Sequence, residues 1–152
     1  MITGKSIVSE ARSWLGTPYH HQASVFKVGC DCLGLIRGVY LSLYGTEPET
    51  PPAYSSSWGE YDKEELMMNA ATRHLILRNV APDKEVLPEK LQTWEIGDVL
   101  FFRARIGAVA KHCGIVSEKD LMIHSYSGIG VVETNIGIWS LRVAGVFSFP
   151  NI

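Results

Sequence analysis

The sequence predicts an α+β fold, with N-terminal helices packed on one face of an antiparallel sheet of about five to six strands. Three observations predict it. Up to about residue 78 the apolar side chains recur at helical spacing, beyond Trp94 they fall in short β-rich runs, and glycine or polar turn signals part those runs. Strands that follow one another with no helix between them pair as antiparallel neighbours, which argues against a wound parallel sheet.

The first helix is expected over Ser6 to Leu15, where Ile7, Ala11, Trp14 and Leu15 share a face and Gly16-Thr17-Pro18 stops it. A loop from Gly16 to Gly29 follows. The second helix begins at Cys32, because Asp31 stands where an N-cap stands. Leu35, Ile36, Val39, Tyr40 and Leu43 form its apolar stripe, and Gly45 takes the C′ position. Thr46 to Pro52, with three prolines, and Ser55-Ser56-Ser57 are a surface connection. A polar helix is expected from about Tyr61 to Arg78, since Leu66, Met67, Ala70, His74 and Leu77 fall on one face; Pro82 and Pro88 separate it from the strands. The strands are Asp98 to Arg103, His112 to Ser117, Leu121 to Ser125, Val131 to Thr134 and Val143 to Phe149, read as a meander.

The 152 residues form one expected domain, spanning 1–152, with an inserted loop and helix region at about 46–91. There is no internal repeat. The net charge is −2, and lysines and arginines are scattered singly, so nucleic acid is not an expected partner. No apolar run is long enough to span a membrane, and the start Met1-Ile2-Thr3-Gly4-Lys5 lacks the charged-then-apolar pattern of a secretory signal. Synthesis in the cytoplasm without an export leader is therefore expected. The three cysteines are an odd number, so at least one is a free thiol.

A thiol becomes a nucleophile where positive potential stabilises the thiolate, and the first turn of a helix supplies that potential. Cys32 is placed there. The unpaired N–H groups of the same turn can hold the oxyanion formed when a carbonyl is attacked, and Gly34 leaves room for substrate to approach. The base must come from elsewhere in the chain. If His112–Ser117 and Leu121–His124 pair around Glu118-Lys119-Asp120, residues whose numbers sum to about 236 oppose one another. His112 and His124 then face each other across the hairpin, and His124 can fix the ring and tautomer of His112. With His112 facing the helix, Gly114 and Val116 share its face while Cys113 and Ile115 point away.

Gly16-Thr17-Pro18-Tyr19, Asp31-Cys32-Leu33-Gly34-Leu35-Ile36, His112-Cys113-Gly114-Ile115-Val116, and Ile123-His124 followed by Gly130-Val131-Val132-Glu133 occur in that order. Together they resemble the successive blocks of the NlpC-type cell-wall peptidases, over about residues 6 to 149. The resemblance implies a papain-like fold and cleavage of peptide bonds in the stem peptides of peptidoglycan, with no cofactor or metal. It implies Cys32 as nucleophile, His112 as base, His124 as the polar third member and Tyr19 as a tyrosine near the thiol, with Asp31 and Leu33 supporting substrate or oxyanion. Leu33 is a departure, because many members have serine there. Gly29-Cys30-Asp31 through Tyr40 and the ending Arg142-Val143-Ala144-Gly145-Val146-Phe147-Ser148-Phe149-Pro150 look similar to the branch encoded by phages, prophages and gene-transfer agents. That branch implies tail proteins as partners and action at the cell wall within a phage-like particle.

The same residues admit other readings. Cys30, Cys32, His112 and Cys113 could be zinc ligands, but adjacent strand residues point to opposite faces and a Cys-x-Cys spacing lacks its usual second pair. Cys30 and Cys113 read as small buried residues. His20 and His21 are loop histidines outside the triad, and His74 is a core or boundary residue. Tyr126 and Trp139 are candidates to line the cleft, with core as their default; Trp14, Trp58 and Trp94 share that default, and Asp98 is a turn residue before its strand. Amidase cleavage or acyl transfer at the same site remains an alternative to the endopeptidase, as does a silent tail module.

Overall fold

The computed structural model describes residues 1–55, 58, 64–80, 93–105 and 107–150. Helix α1 spans Gly4–Ser13, capped by Thr3, whose hydroxyl accepts from Ser6 N at 3.1 Å. Two short strands, β1 (Ser24–Val25) and β2 (Gly29–Cys30), pair within the expected loop. Helix α2 spans Cys32–Tyr44; Asp31 caps its start and Gly45, at φ +77°, ends it in the left-handed region. Both ends follow from the sequence, because each cap depends only on neighbours within three or four residues.

Helix α3 is Leu66–His74 and is followed by strand β3, Ile76–Val80. This corrects the expected helix to Arg78: Leu77 and Arg78 lie in a strand, and residues 61–63 fall outside the described residues, as do Pro82 and Pro88. Leu77 continues the helical spacing, so only pairing with a distant strand decides its state. The remaining strands are β4 (Val99–Arg103), β5 (Ala110–Glu118), β6 (Leu121–Tyr126), β7 (Gly130–Asn135) and β8 (Val143–Ser148), with a short 3₁₀ helix at Gly137–Arg142.

One six-stranded sheet, antiparallel at every pairing, has the order β3-β8-β4-β5-β6-β7. The α+β fold is as expected, but only β4 to β7 form a meander. Strand β8 returns to lie between β3 and β4, because Val143 to Phe147 is an apolar run buried on both faces, and such a strand must be interior. Ile76, Leu77 and Val80 of β3 are exposed, as an edge strand permits.

The sheet has two buried faces. On one, Val99, Phe101, Cys113 and Ile115 pack with Ile7, Ala11, Leu35 and Val39 of α1 and α2. On the other, Leu100, Phe102, Val116 and Met122 pack with Val143, and Trp94 and Trp139 lie against them. Cys113 and Ile115 therefore face the helices and Val116 faces away, the reverse of the assignment expected from alternation. Period two fixes which residues share a face but not which face the helices cover.

Candidate active site

The N-terminus of α2 is built by the loop in front of it. Asp31 Oδ1 accepts from Gly34 N at 2.7 Å and its Oδ2 from Gln22 N at 2.8 Å, so one buried carboxylate caps the helix and holds the loop. The Ala23 carbonyl accepts from Asp31 N at 3.2 Å. A Cβ on Gly34 would stand 1.9 Å from that carbonyl oxygen. The space at Gly34 thus admits the protein's own loop, not an approaching substrate.

Cys32 is the first residue of this helix and only 8% exposed. Its Sγ donates to Lys111 O at 3.7 Å, and Cys113 Sγ donates to the Cys32 carbonyl at 3.3 Å. The first backbone bond into the helix runs from Leu35 N to Asp31 O at 3.0 Å, so the N–H groups of Cys32 and Leu33 have no intrahelical acceptor. The Cys32 thiol is held well below its ordinary range. The Cys113 thiol is the largest cause; the His112 imidazole adds a hydrogen bond and charge, and burial and the Asp31 carboxylate act the other way. Burial holds the Cys113 thiol far up and the Cys30 thiol at about 11. Of the three cysteines, all free, Cys32 alone is biased toward thiolate.

His112 and His124 come together as the sequence predicts, by a different register. Ile115 pairs with Ile123 and Val116 with Met122, so opposing residue numbers sum to 238 and not 236. A bulge after Val116 shifts the register by one residue at the hairpin end, where Glu118 pairs with Leu121. His124 then lies across from Gly114, where a Cβ would meet the His124 Cβ at 3.2 Å. The two histidines are diagonal neighbours on one face, and His112 Nε2 lies 2.7 Å from His124 Nδ1. His124 Nε2 lies 2.9 Å from Thr134 Oγ1 on β7, which extends the chain of polar contacts.

Trp139 and Tyr126 enclose the pair. The Trp139 ring centre is 4.9 Å from that of His112 and 5.9 Å from that of His124; Tyr126 lies 5.9 Å and 5.7 Å from the same two rings. Both aromatics thus line the histidine pair, the cleft role weighed against their default as core, and Trp139 also packs on the second buried cluster. Thr134 is not a candidate in the sequence, because the register that sets Met122 against Thr134 beside His124 comes from the structure. Tyr54 was also missed: its hydroxyl donates to Asp31, and nothing in its proline-rich loop signals this.

Tyr19 is half-buried and bridges to Cys30; its phenol is pushed up by burial and then by charge on Cys32 and Asp31, which places it in the thiol's field. Leu33 lines a cavity of about 390 Å³ with Tyr54, Trp58, Met67 and Phe101. His21 Nε2 donates to Tyr54 O at 2.7 Å, and His74 lies 2.8 Å from Glu49, so both have structural partners. Asp98 accepts from Glu95 N at 2.8 Å, the turn role expected of it. Among the described residues no group of three or more His, Cys, Asp or Glu is placed to hold a metal ion.

Burial, and then the neighbouring His112, hold the His124 imidazole down to about 4 from 6.5. Between these values the unfolded chain takes up a proton that the folded chain refuses. Stability present above about 6.5 is therefore lost as pH falls toward about 4. The wild-type melting temperature should fall across that window more steeply than that of His124→Asn, which cannot titrate. Parallel curves would show that His124 is not the group responsible.

The NlpC/P60 family profile matches residues 16–148. A comparison with curated proteins found no match. Among solved structures, the NlpC/P60 domain of the peptidoglycan hydrolase SagA superposes with a TM-score of 0.64 at 21% identity, covering 97% of this chain and 100% of that one. An NlpC/P60 family protein from Bacillus cereus gives a TM-score of 0.66 at 17% identity, covering 97% of this chain and 40% of that one. NlpC1 from Trichomonas vaginalis gives 0.58 at 15% identity, covering 96% and 44%. With a helix-capped thiol, a histidine pair on the adjoining strands and a profile match over nearly the whole chain, the chain belongs to the NlpC/P60 family of cysteine-type peptidoglycan hydrolases.

Proposed function

We propose that the chain is a cysteine endopeptidase that hydrolyses an amide bond within peptidoglycan stem peptides, with Cys32, His112 and His124 acting as a triad. The observation that carries this reading is the 2.7 Å contact between His112 Nε2 and His124 Nδ1 beside a thiol that His112 helps to ionise. Protonated His112 donates from both ring nitrogens, so it needs an acceptor at Nε2. Neutral His124, kept so by burial, offers Nδ1 as that acceptor and directs its own Nε2–H to Thr134 Oγ1. Its role parallels the orienting residue of other triads.

The Cys32 thiolate attacks the amide carbonyl, and the free N–H groups of Cys32 and Leu33 receive the oxyanion. His112 gives its proton to the leaving amine, which departs as the C–N bond breaks. Water then loses a proton to His112 and attacks the thioester, releasing the carboxylate and regenerating the thiol. Asp31 and Tyr19 support this reading as neighbours that set the helix start and the thiol's field.

Mass spectra of fragments released from purified peptidoglycan test the bond. New amine and carboxyl termini inside the stem peptide are the expected result. A terminus at the sugar–peptide junction would replace the endopeptidase with an amidase, and a fragment joined to an added amine would make it an acyltransferase. No release at all would favour a silent module. The sequence resemblance to the tail-associated branch supports a place in a phage-like particle acting at the cell wall, and co-purification with assembled tails tests that setting.

A further inference from the structure

The Asp31 carboxylate is 3% exposed and precedes the nucleophile directly, and its charge opposes ionisation of the Cys32 thiol. A carboxylate is nevertheless used there, since it caps α2 and fixes Gln22 through two backbone donors. Both donors belong to the segment around the helix start. The third comes from elsewhere: Tyr54, in the connection after α2, donates its hydroxyl to Asp31 Oδ2. It is the one side-chain donor to Asp31 among the described residues.

We propose that Tyr54 is a positioning residue for the Cys32 nucleophile, drawing carboxylate charge away from the thiol and tying the 46–55 connection to the first turn of α2. The Tyr54 ring is held independently of its hydroxyl. His21 Nε2 lies 2.7 Å from Tyr54 O, the two rings meet edge-on at 5.0 Å, and Gln22 Nε2 donates to Pro52 O at 3.5 Å. Burial, then the bond to Asp31, push the Tyr54 phenol strongly upward, so it stays a donor throughout the working range. A hydrogen bond to a carboxylate from a fixed donor disperses its charge and weakens its effect on neighbours. The thiol also meets His112 and Cys113 from β5, Cys30 from β2 and Tyr19 from the loop before it. Among the described residues the Tyr54 hydroxyl bonds to Asp31 and to none of these groups.

This inference rests on Cys32 being the nucleophile, and it is tested without peptidoglycan. The rate of Cys32 alkylation by iodoacetamide is followed against pH in wild type, Tyr54→Phe, Asp31→Asn and the double variant. Loss of the Tyr54 hydroxyl should move the alkylation midpoint up by about half a unit to one unit, as expected for an uncompensated neighbouring charge. In the Asp31→Asn background the same loss should shift nothing, because no charge remains to disperse. An unmoved midpoint in Tyr54→Phe overturns the proposal, as does an equal shift in both backgrounds or general unfolding of Tyr54→Phe. A midpoint that moves as expected in a protein that releases no peptidoglycan fragment would sink the endopeptidase reading and leave the Tyr54 assignment standing.

Discussion

Cys32→Ala is expected to reduce the initial rate of peptide release from peptidoglycan by at least about 10⁴-fold, the scale of losing a nucleophile whose partners act only through it. No other thiol can take over: Cys30 and Cys113 are buried, and burial raises both. The fold should survive, because alanine fits where the thiol sits and the cap made by Asp31 does not involve Sγ. Circular dichroism and fragment release, measured on the same preparation, separate the two effects. A variant that is folded and keeps about a tenth of the wild-type rate would transfer the nucleophile's role to another group.

His112→Ala should cost about 10²- to 10⁴-fold, the usual range for a general acid–base group. On the proposed mechanism it removes two contributions at once: the proton carrier for the leaving amine, and the hydrogen bond and charge that lower the Cys32 thiol. The second is measurable by itself. Alkylation of Cys32 should move to higher pH, so that part of the lost hydrolysis returns as pH is raised, whereas the proton-transfer loss does not return. An unmoved alkylation profile would mean that the imidazole does not reach the thiol.

The site was legible in the sequence to an uneven degree. Cys32 was legible because Asp31 and the apolar stripe from Leu35 to Leu43 fix a helix start locally. The histidine pair was legible because hairpin pairing preserves parity: a register wrong by two residues still leaves His112 and His124 on one face and within 2.7 Å. Tyr54 and Trp139 were not. Tyr54 lies in a connection without periodicity, and Trp139 in a 3₁₀ turn, so neither has a local pattern that says which surface it meets.

By itself the sequence determined both caps of α2, the strand-rich second half, the sharing of one face by the two histidines and the resemblance that gave the family. These depend on contacts within a few residues or across one tight hairpin, and chain stereochemistry fixes such contacts almost alone. Only the tertiary structure decided that Ile76–Val80 is a strand, that β8 lies between β3 and β4, and that Cys113 faces the helices. It also decided that Ala23 fills the space at Gly34 and that Tyr54 meets Asp31. Each of these joins segments well separated along the chain, and which partner a segment meets is settled by the burial available to the whole domain.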